Sequence, residues 1–151
     1  MTAIAAELES DYLTRELTIC SWLLTRDHKR IALLYFASIT AFFFIGGFAA
    51  TLLRLHLVDP AGTLLQPDLY DRLFTMHGVV MVWFFLIPSI PATLGNFLIP
   101  LMIGAHDLAF PRLNLGSWYL FVLSGLLAVY FLFMGGVDTG WTFRPLSIWT
   151  L

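Results

Sequence analysis

The stretch LFTMHGVVMVWFFLIPSIPATLGNFLIPLMIG, Leu73 to Gly104, decides the fold class because it carries no charged residue. About 20 consecutive apolar residues are enough for a helix to cross the ~30 Å hydrocarbon layer of a membrane. Pro88, Pro91 and Pro100 lie inside the stretch, and we expect them to kink the helix, since proline removes a backbone donor. One ionisable side chain, His77, stands near its start.

The composition of the whole chain points to the same class of protein. Hydrophobic residues make up 59% of the 151 residues, charged residues make up 12%, and the mean hydropathy is +0.83. A soluble core of this size cannot bury such an apolar excess, so we predict one integral membrane domain. The net charge of -2 gives no sign of a nucleic-acid partner. The lone Cys20 excludes an internal disulfide and a cysteine-rich metal cluster.

Two further charge-free windows are long enough to span a membrane, one from Ile31 to Leu53 and one from Leu113 to Val137. The window from Leu113 to Val137 includes the small residues Ser124, Gly125 and Ala128, which let packed helices approach closely. The sequence therefore predicts an all-α membrane protein with three transmembrane helices, at about residues 31–54, 73–103 and 115–136.

Basic residues predict the orientation of these helices. Arg15, Arg26, Lys29 and Arg30 precede the first span, so the positive-inside rule places the N-terminus in the cytoplasm. Residues 1–27 are then a cytoplasmic tail, and no signal peptide is expected there. Its apolar residues alternate with charged ones in a pattern typical of a short helix on the membrane surface, with a disordered tail as the alternative. The apolar residues of this pattern are Leu13, Leu17, Trp22 and Leu24.

His77, in the window from Leu73 to Gly104, has two interpretations. An ionisable group inside a span is a functional candidate, but a histidine hydrogen-bonded to a neighbouring helix is an ordinary alternative. A neutral imidazole is a good iron ligand, and Gly78, next to His77, would let a flat macrocycle approach. Met81 and Phe84 continue this face and pack either against such a ring or against protein.

Arg54 strengthens the case for a cofactor. A first helix that rises about 35 Å places Arg54 near the outer boundary, and we expect His77 at the same depth. The two side chains would suit an anionic, iron-bearing cofactor. An interfacial anchor is an equally good explanation for Arg54.

A second polar set, formed by Asn96, Asp107 and Asn114, is expected at the opposite membrane face. His77 and Asp107 would lie about 45 Å apart along a continuous helix. A carboxylate at the inner mouth of a helix bundle, with amides nearby, can order water and accept protons. A solvated loop acid or a helix cap is the alternative for Asp107.

Several segments between about Asp27 and Pro145 closely resemble, in order, the N-terminal part of subunit I of heme-copper oxidases, especially cytochrome c oxidase. GNFLIPLMIGAHDLAFPRLN is long enough to make the resemblance very specific. The other segments are DHKRIALLYF, GGFAATLLRL, TMHGVVMVWFFLIP and GGVDTGWTF.

The resemblance implies roles for the polar residues at both faces. His77 matches one of two axial ligands of the low-spin heme, which would be heme a, with heme b as the alternative. Arg54 matches the arginine that approaches a substituent of that heme, and Trp141 matches a tryptophan beside it. Asp107 matches the entrance of the D-pathway for protons. Asn96 and Asn114 match asparagines that narrow this pathway further in.

Three departures from the family pattern affect these expectations. Leu115 replaces a second asparagine, which we expect to make the pathway lining less polar. His56 replaces an acid of a peripheral cation site, which puts that site in doubt. The family's GWTxYPP becomes GWTFRPLS, so Phe143 and Arg144 diverge.

The resemblance to this family also predicts the function of the protein to which these residues would belong. Family subunits have twelve helices, and later ones carry the copper ligands, the high-spin heme ligand and the second low-spin heme ligand. We therefore expect residues 28–151 to be the N-terminal part of the catalytic subunit of a proton-pumping terminal oxidase, inactive alone. The implied partners are the remaining subunit I helices, subunits II and III, cytochrome c and lipid, in a bacterial inner membrane. A quinol oxidase subunit, or a three-helix module for heme binding or assembly, is the alternative.

Overall fold

The computed structural model describes residues 18–58, 64–106 and 108–134, and every regular element within these ranges is helical. Asp107 and Trp141 lie outside the described residues, as do Leu13 and Leu17 of the predicted surface helix. The described part of that segment forms one short helix, which includes Trp22. Its location on a membrane surface stays a prediction.

Three helical runs are long and apolar enough to cross a membrane, with mean hydropathies of 2.0, 1.9 and 1.5. The prediction of an all-α membrane fold is therefore confirmed. We call these runs the first, second and third spans. In chain order the elements are α1 (Ile19–Leu23), α2 (His28–Val58, the first span), α3 (Pro67–Val79), two π-helical segments (Val80–Leu86 and Ser89–Leu94), α4 (Gly95–Ile103, ending the second span) and α5 (Pro111–Phe133, the third span).

Local chemistry sets the ends of the spans. The Asp27 carboxylate accepts a hydrogen bond of 2.9 Å from the Lys29 amide, which caps the start of α2. Pro67 lies in the first turn of α3, where its fixed φ is favourable, and Asp68 follows it. At the other end of this span, Gly104 has φ 67°, and this left-handed conformation ends α4.

The second span begins at Pro67, six residues before the charge-free window that starts at Leu73. Its first turns are charged, and Arg72 donates to Asp68 one helical turn earlier, at 2.7 Å. Such a pair supports helix formation at a boundary where hydropathy gives no signal. His77 therefore lies three turns inside the helix instead of at its start.

Of the three predicted kink sites, Pro88 and Pro91 coincide with a change in helix type, whereas Pro100 lies inside the α-helical turns of α4. The helix continues through both, but hydrogen bonding widens into π-helical turns over Val80–Leu86 and Ser89–Leu94. The Ser89 hydroxyl donates to the Phe85 carbonyl one turn earlier. Because proline has no backbone N–H, it cannot donate the hydrogen bond that an α-helical turn needs. Membrane helices compensate with wider turns and with hydrogen bonds from side chains.

The first span packs against both others. At the N-terminal end of α2, a buried cluster joins it to α5, and it consists of Ile31, Tyr35, Ile39, Leu115 and Trp118. Leu115 thus packs in this core between the helices. Its expected effect on the polarity of the pathway lining stays a prediction. At the opposite end a second cluster joins α2 to α3, and it consists of Ala49, Leu53 and Leu73.

Gly125, one of the predicted small residues of the third span, receives the ring of Phe42. A Cβ atom at Gly125 would lie 2.0 Å from Phe42 Cζ. The Phe42 ring also contacts Phe84 and Phe121, with centroids 5.1 and 5.7 Å away. The absence of a side chain at Gly125 therefore lets the first and third spans pack closely around this aromatic group.

Candidate functional site

His77 faces the first span and makes a hydrogen bond to it. Its Nδ1 atom lies 2.9 Å from the carbonyl oxygen of Gly46. Because a carbonyl only accepts, Nδ1 carries the proton and the neutral ring keeps its lone pair on Nε2. A histidine that ligates a metal commonly donates its other ring N–H to a backbone carbonyl, which fixes the tautomer. The half-buried His77 therefore shows the backbone hydrogen bond that commonly accompanies a metal-ligating histidine.

The contact between His77 and Gly46 depends on close packing of the two spans. A Cβ atom at Gly46 would lie 2.8 Å from Met81 Sδ and 3.0 Å from Met81 Cγ. Met81 therefore packs against the first span, and Phe84 packs against Phe42. For these two residues, packing against protein is the alternative that the structure shows.

Arg54 and His77 are not at one depth, contrary to our expectation. His77 is level with Gly46, and eight residues of continuous α-helix, or about 12 Å, separate Gly46 from Arg54. The difference follows from the early start of α3, which carries His77 deeper into the bundle. The Arg54 side chain is exposed, so it is free to extend along the helix surface.

The residues present fit one protein ligand to a heme iron. No residue in the described part of the chain is hydrogen-bonded to His77 Nε2, and the resemblance noted above implies a heme. Within residues 18–58, 64–106 and 108–134, no three His, Cys, Asp or Glu side chains lie together in a way that could hold a bare metal ion.

At the other end of the second span, the structure brings the two predicted asparagines together. Asn114 Nδ2 donates to Asn96 Oδ1 at 2.9 Å, although the residues lie on different helices. Asn96 Nδ2 donates to the Ala92 carbonyl at 2.6 Å, and the Asn96 side chain is 7% exposed. The hydrogen bond between the two amides therefore has a fixed direction, because the Asn114 N–H on the third span donates and the Asn96 oxygen on the second span accepts.

Two hydroxyl groups extend this polar site. Tyr35 and Ser117 lie with their oxygens 2.7 Å apart, and Ser117 donates to the Asn114 carbonyl, also at 2.7 Å. Since Ser117 has one proton, Tyr35 is the donor in the first bond. We call the cavity of about 380 Å³ between the three spans the inner groove, and its lining includes Tyr35, Ala92, Asn96, Asn114, Ser117 and Phe121.

Tyr35 and Ser117 were not among the residues predicted from the sequence. The sequence spacing could have indicated Ser117, because it follows Asn114 by three residues and therefore lies on the same face of the helix. The position of Tyr35 required the register between the first and third spans, which the sequence does not contain.

The His77 site and the inner groove lie at opposite ends of the second span. His77 and Asn96 are nineteen residues apart, or about 28 Å along an α-helix. The chain therefore presents two separate sites, one around the His77 imidazole and one made of amides and hydroxyls in the inner groove.

His56, which takes the place of an acid of the family's cation site, holds the chain after the first span. Its Nδ1 atom accepts a hydrogen bond of 3.1 Å from the Leu65 amide, and its ring lies 5.2 Å from the Tyr70 ring. The Nδ1 lone pair is thus committed to a backbone amide and is not offered to a cation.

Comparisons with known proteins identify the family of the chain. The family model "Cytochrome C and Quinol oxidase polypeptide I" matches residues 30–151. Cytochrome c oxidase subunit 1 of Synechocystis sp. is 41% identical over 123 residues, which cover 81% of this chain and 22% of that protein. The heme-copper oxidase subunit I+III of Aeropyrum pernix is 44% identical over 129 residues, which cover 83% of this chain and 16% of that protein.

A third relative gives the same result. Cytochrome c oxidase subunit 1 of Thermostichus vulcanus is 39% identical over 122 residues, which cover 80% of this chain and 22% of that protein. The chain thus spans about a fifth of the length of the relatives it matches. The family model matches most of the chain, and its relatives are near 40% identical, so the chain belongs to the family of subunit I of the cytochrome c and quinol oxidases.

Proposed function

We propose that the chain is part of a terminal oxidase that oxidises cytochrome c and reduces oxygen to water. It would supply a ligand to the heme that receives the electrons, and it would form the first part of the route by which protons enter from the cytoplasm. The observation that carries this proposal is the His77 ring, whose Nδ1–H is held by the Gly46 carbonyl while Nε2 is left for iron. His77 would be one axial ligand of a low-spin heme. When bound, that heme would pass single electrons toward the oxygen-reducing centre.

Two further residues would contact the same heme. Arg54 would donate to an acidic or polar substituent of the ring, for which an exposed and flexible guanidinium is suited. Trp141 would pack beside the ring, as the resemblance implies. Heme a is the proposed cofactor, and heme b is the alternative. Copper and high-spin heme would be held by residues of the same subunit type outside this chain, so we expect the chain alone to reduce no oxygen.

The inner groove would conduct protons. Asp107 would admit them from the cytoplasm, and the hydrogen-bonded pair of Asn96 and Asn114 would order water beyond it. Tyr35 and Ser117 would continue this line of polar groups along the first and third spans. Amides and hydroxyls do not titrate near neutral pH, so these side chains would hold water without trapping the proton.

The proposed setting is a bacterial inner membrane, with the N-terminus in the cytoplasm. Subunits II and III and the remaining subunit I helices would be the partners, and cytochrome c would be the electron donor. Relatives named cytochrome c oxidase support this donor over a quinol.

Replacement of His77 by alanine in the assembled oxidase tests the proposal. We expect the low-spin heme absorbance to disappear while the protein still assembles, because one axial ligand is lost. His106→Ala is a matched control, since this histidine is exposed and lies beyond the end of the second span that is opposite to His77. An unchanged spectrum in His77→Ala would contradict the assignment.

A further inference from the structure

The beginning of α5 contacts the rest of the bundle through a run of polar side chains. Asn114 and Ser117 belong to the inner groove. Beside it, the Trp118 indole N–H donates to Ser38 Oγ at 3.1 Å, and the Tyr119 hydroxyl donates to the Leu23 carbonyl at 2.6 Å. The mechanism proposed above does not use Trp118 or Tyr119.

The bond between Trp118 and Ser38 has one possible direction. Trp118 is 8% exposed, and its indole N–H can only donate, so it needs an acceptor in the apolar interior. Ser38 donates its own proton to the Leu34 carbonyl at 2.8 Å, which leaves its oxygen as that acceptor. The bond is therefore a directed link between the first and third spans.

This link acts on the rotation of α5. Successive residues of an α-helix lie about 100° apart around its axis, so Trp118 faces the first span while its neighbour Ser117 faces the groove. A rotation that breaks the Trp118 bond would also turn Ser117 from Tyr35 and Asn114 from Asn96. The indole bond thus holds the angle at which the groove residues meet.

We infer that Trp118, through Ser38, is a positioning residue for the proton route. Trp118 packs in the same cluster as Tyr35 but does not itself line the groove, and it acts by fixing the face that α5 presents. This inference rests on the proposed function of the groove.

The test uses the assembled oxidase in sealed vesicles and measures proton uptake, protons pumped per electron and heme absorbance. We expect Trp118→Phe and Ser38→Ala each to slow proton uptake about threefold, the factor typical of one interhelical hydrogen bond in a membrane. Heme absorbance should not change. Ser38→Thr keeps the hydroxyl acceptor and should retain the normal rate. Trp83→Phe is the matched control, because Trp83 is 58% exposed on the second span.

The double variant Ser38→Ala, Trp118→Phe distinguishes a shared bond from two separate effects. We expect its loss to equal that of either single variant, because one bond can be lost only once. Additive losses would overturn the inference, and so would a parallel loss of heme absorbance, which would indicate general unfolding.

Asp107→Asn separates the inference from the function on which it rests. If this variant slows proton uptake while Trp118→Phe and Ser38→Ala do not, the positioning role is refuted and the proton route stands. If Asp107→Asn has no effect, the proposed proton route itself fails, and the positioning role fails with it.

Discussion

At the scale of single residues, the hydrogen bond from His77 to Gly46 joins two features that the sequence presents separately. Glycine at this position contributes no side chain, and its carbonyl is the acceptor that sets the histidine tautomer. The family motif around His77 predicted a ligand, but it did not predict its partner. The partner depends on the axial offset between two helices, which hydropathy along one chain does not contain.

Gly46→Ala should disturb the His77 site. The added methyl group would lie 2.8 Å from Met81 Sδ, so the two spans must separate or Met81 must move, at a cost of about 1–3 kcal/mol. We expect a shifted low-spin heme absorbance and weaker heme retention, measured on the purified oxidase after detergent washing. Gly47→Ala is the control, because a Cβ atom there meets nothing within 4 Å. Equal behaviour of the two variants would refute the argument.

At the scale of helices, the charge-free windows predicted the number of spans, because hydropathy reports the length of apolar chain. They did not predict that α3 begins at Pro67, since its first turns are stabilised by charged residues such as the pair Asp68 and Arg72. This early start explains why the expected common depth of Arg54 and His77 was wrong. The kinks expected at the prolines stay a prediction: π-helical turns accompany Pro88 and Pro91, while Pro100 lies in a regular α-helix.

Gly125→Ala should weaken the packing of the third span on the first. Its methyl group would overlap the buried Phe42 ring, with a distance of 2.0 Å to Cζ, and the ring is enclosed by other aromatic side chains. We expect a loss of about 2 kcal/mol in stability, seen as a lower unfolding temperature in detergent. Gly116→Ala, on the same helix but with no atom within 4 Å of its added Cβ, should be close to neutral.

The Gly125 prediction has an internal check. Combining Gly125→Ala with Phe42→Leu makes room for the added methyl group, so we expect the double variant to be more stable than the sum of the two single losses implies. Simple additivity would show that the Phe42 ring is not the obstacle.

At the scale of the whole molecule, the three spans bury little of their surface against one another. In the most apolar window of each span, 33%, 11% and 17% of the residues are buried. Large apolar side chains such as Phe44, Phe48 and Leu101 are 64–67% exposed. An apolar exterior of this kind is expected where lipid or further helices replace water.

The orientation in the membrane can be tested with the single cysteine, Cys20, which is exposed in the helix before the first span. A membrane-impermeant maleimide should modify Cys20 in inverted vesicles but not in intact cells, since the N-terminal basic residues predict a cytoplasmic location. In a Cys20→Ser background, Leu64→Cys at the other end of the bundle should give the reverse pattern. Labelling of Cys20 in intact cells would contradict the orientation.

The π-helical turns between the two sites have a consequence for chain length. Each such turn holds one residue more than an α-helical turn, and the two segments lie between His77 and Asn96. Deleting one residue there would let a π-helical turn close to an α-helical one, so the helix beyond would keep its direction and Asn96 would still meet Asn114. An extra residue inserted into an α-helical turn between the two sites would instead rotate everything beyond it by about 100°. His77 would keep its bond to Gly46, while Asn96 would turn away from Asn114. The stretch therefore tolerates the loss of a residue better than a gain, if the His77 site and the inner groove are to remain aligned on one helix.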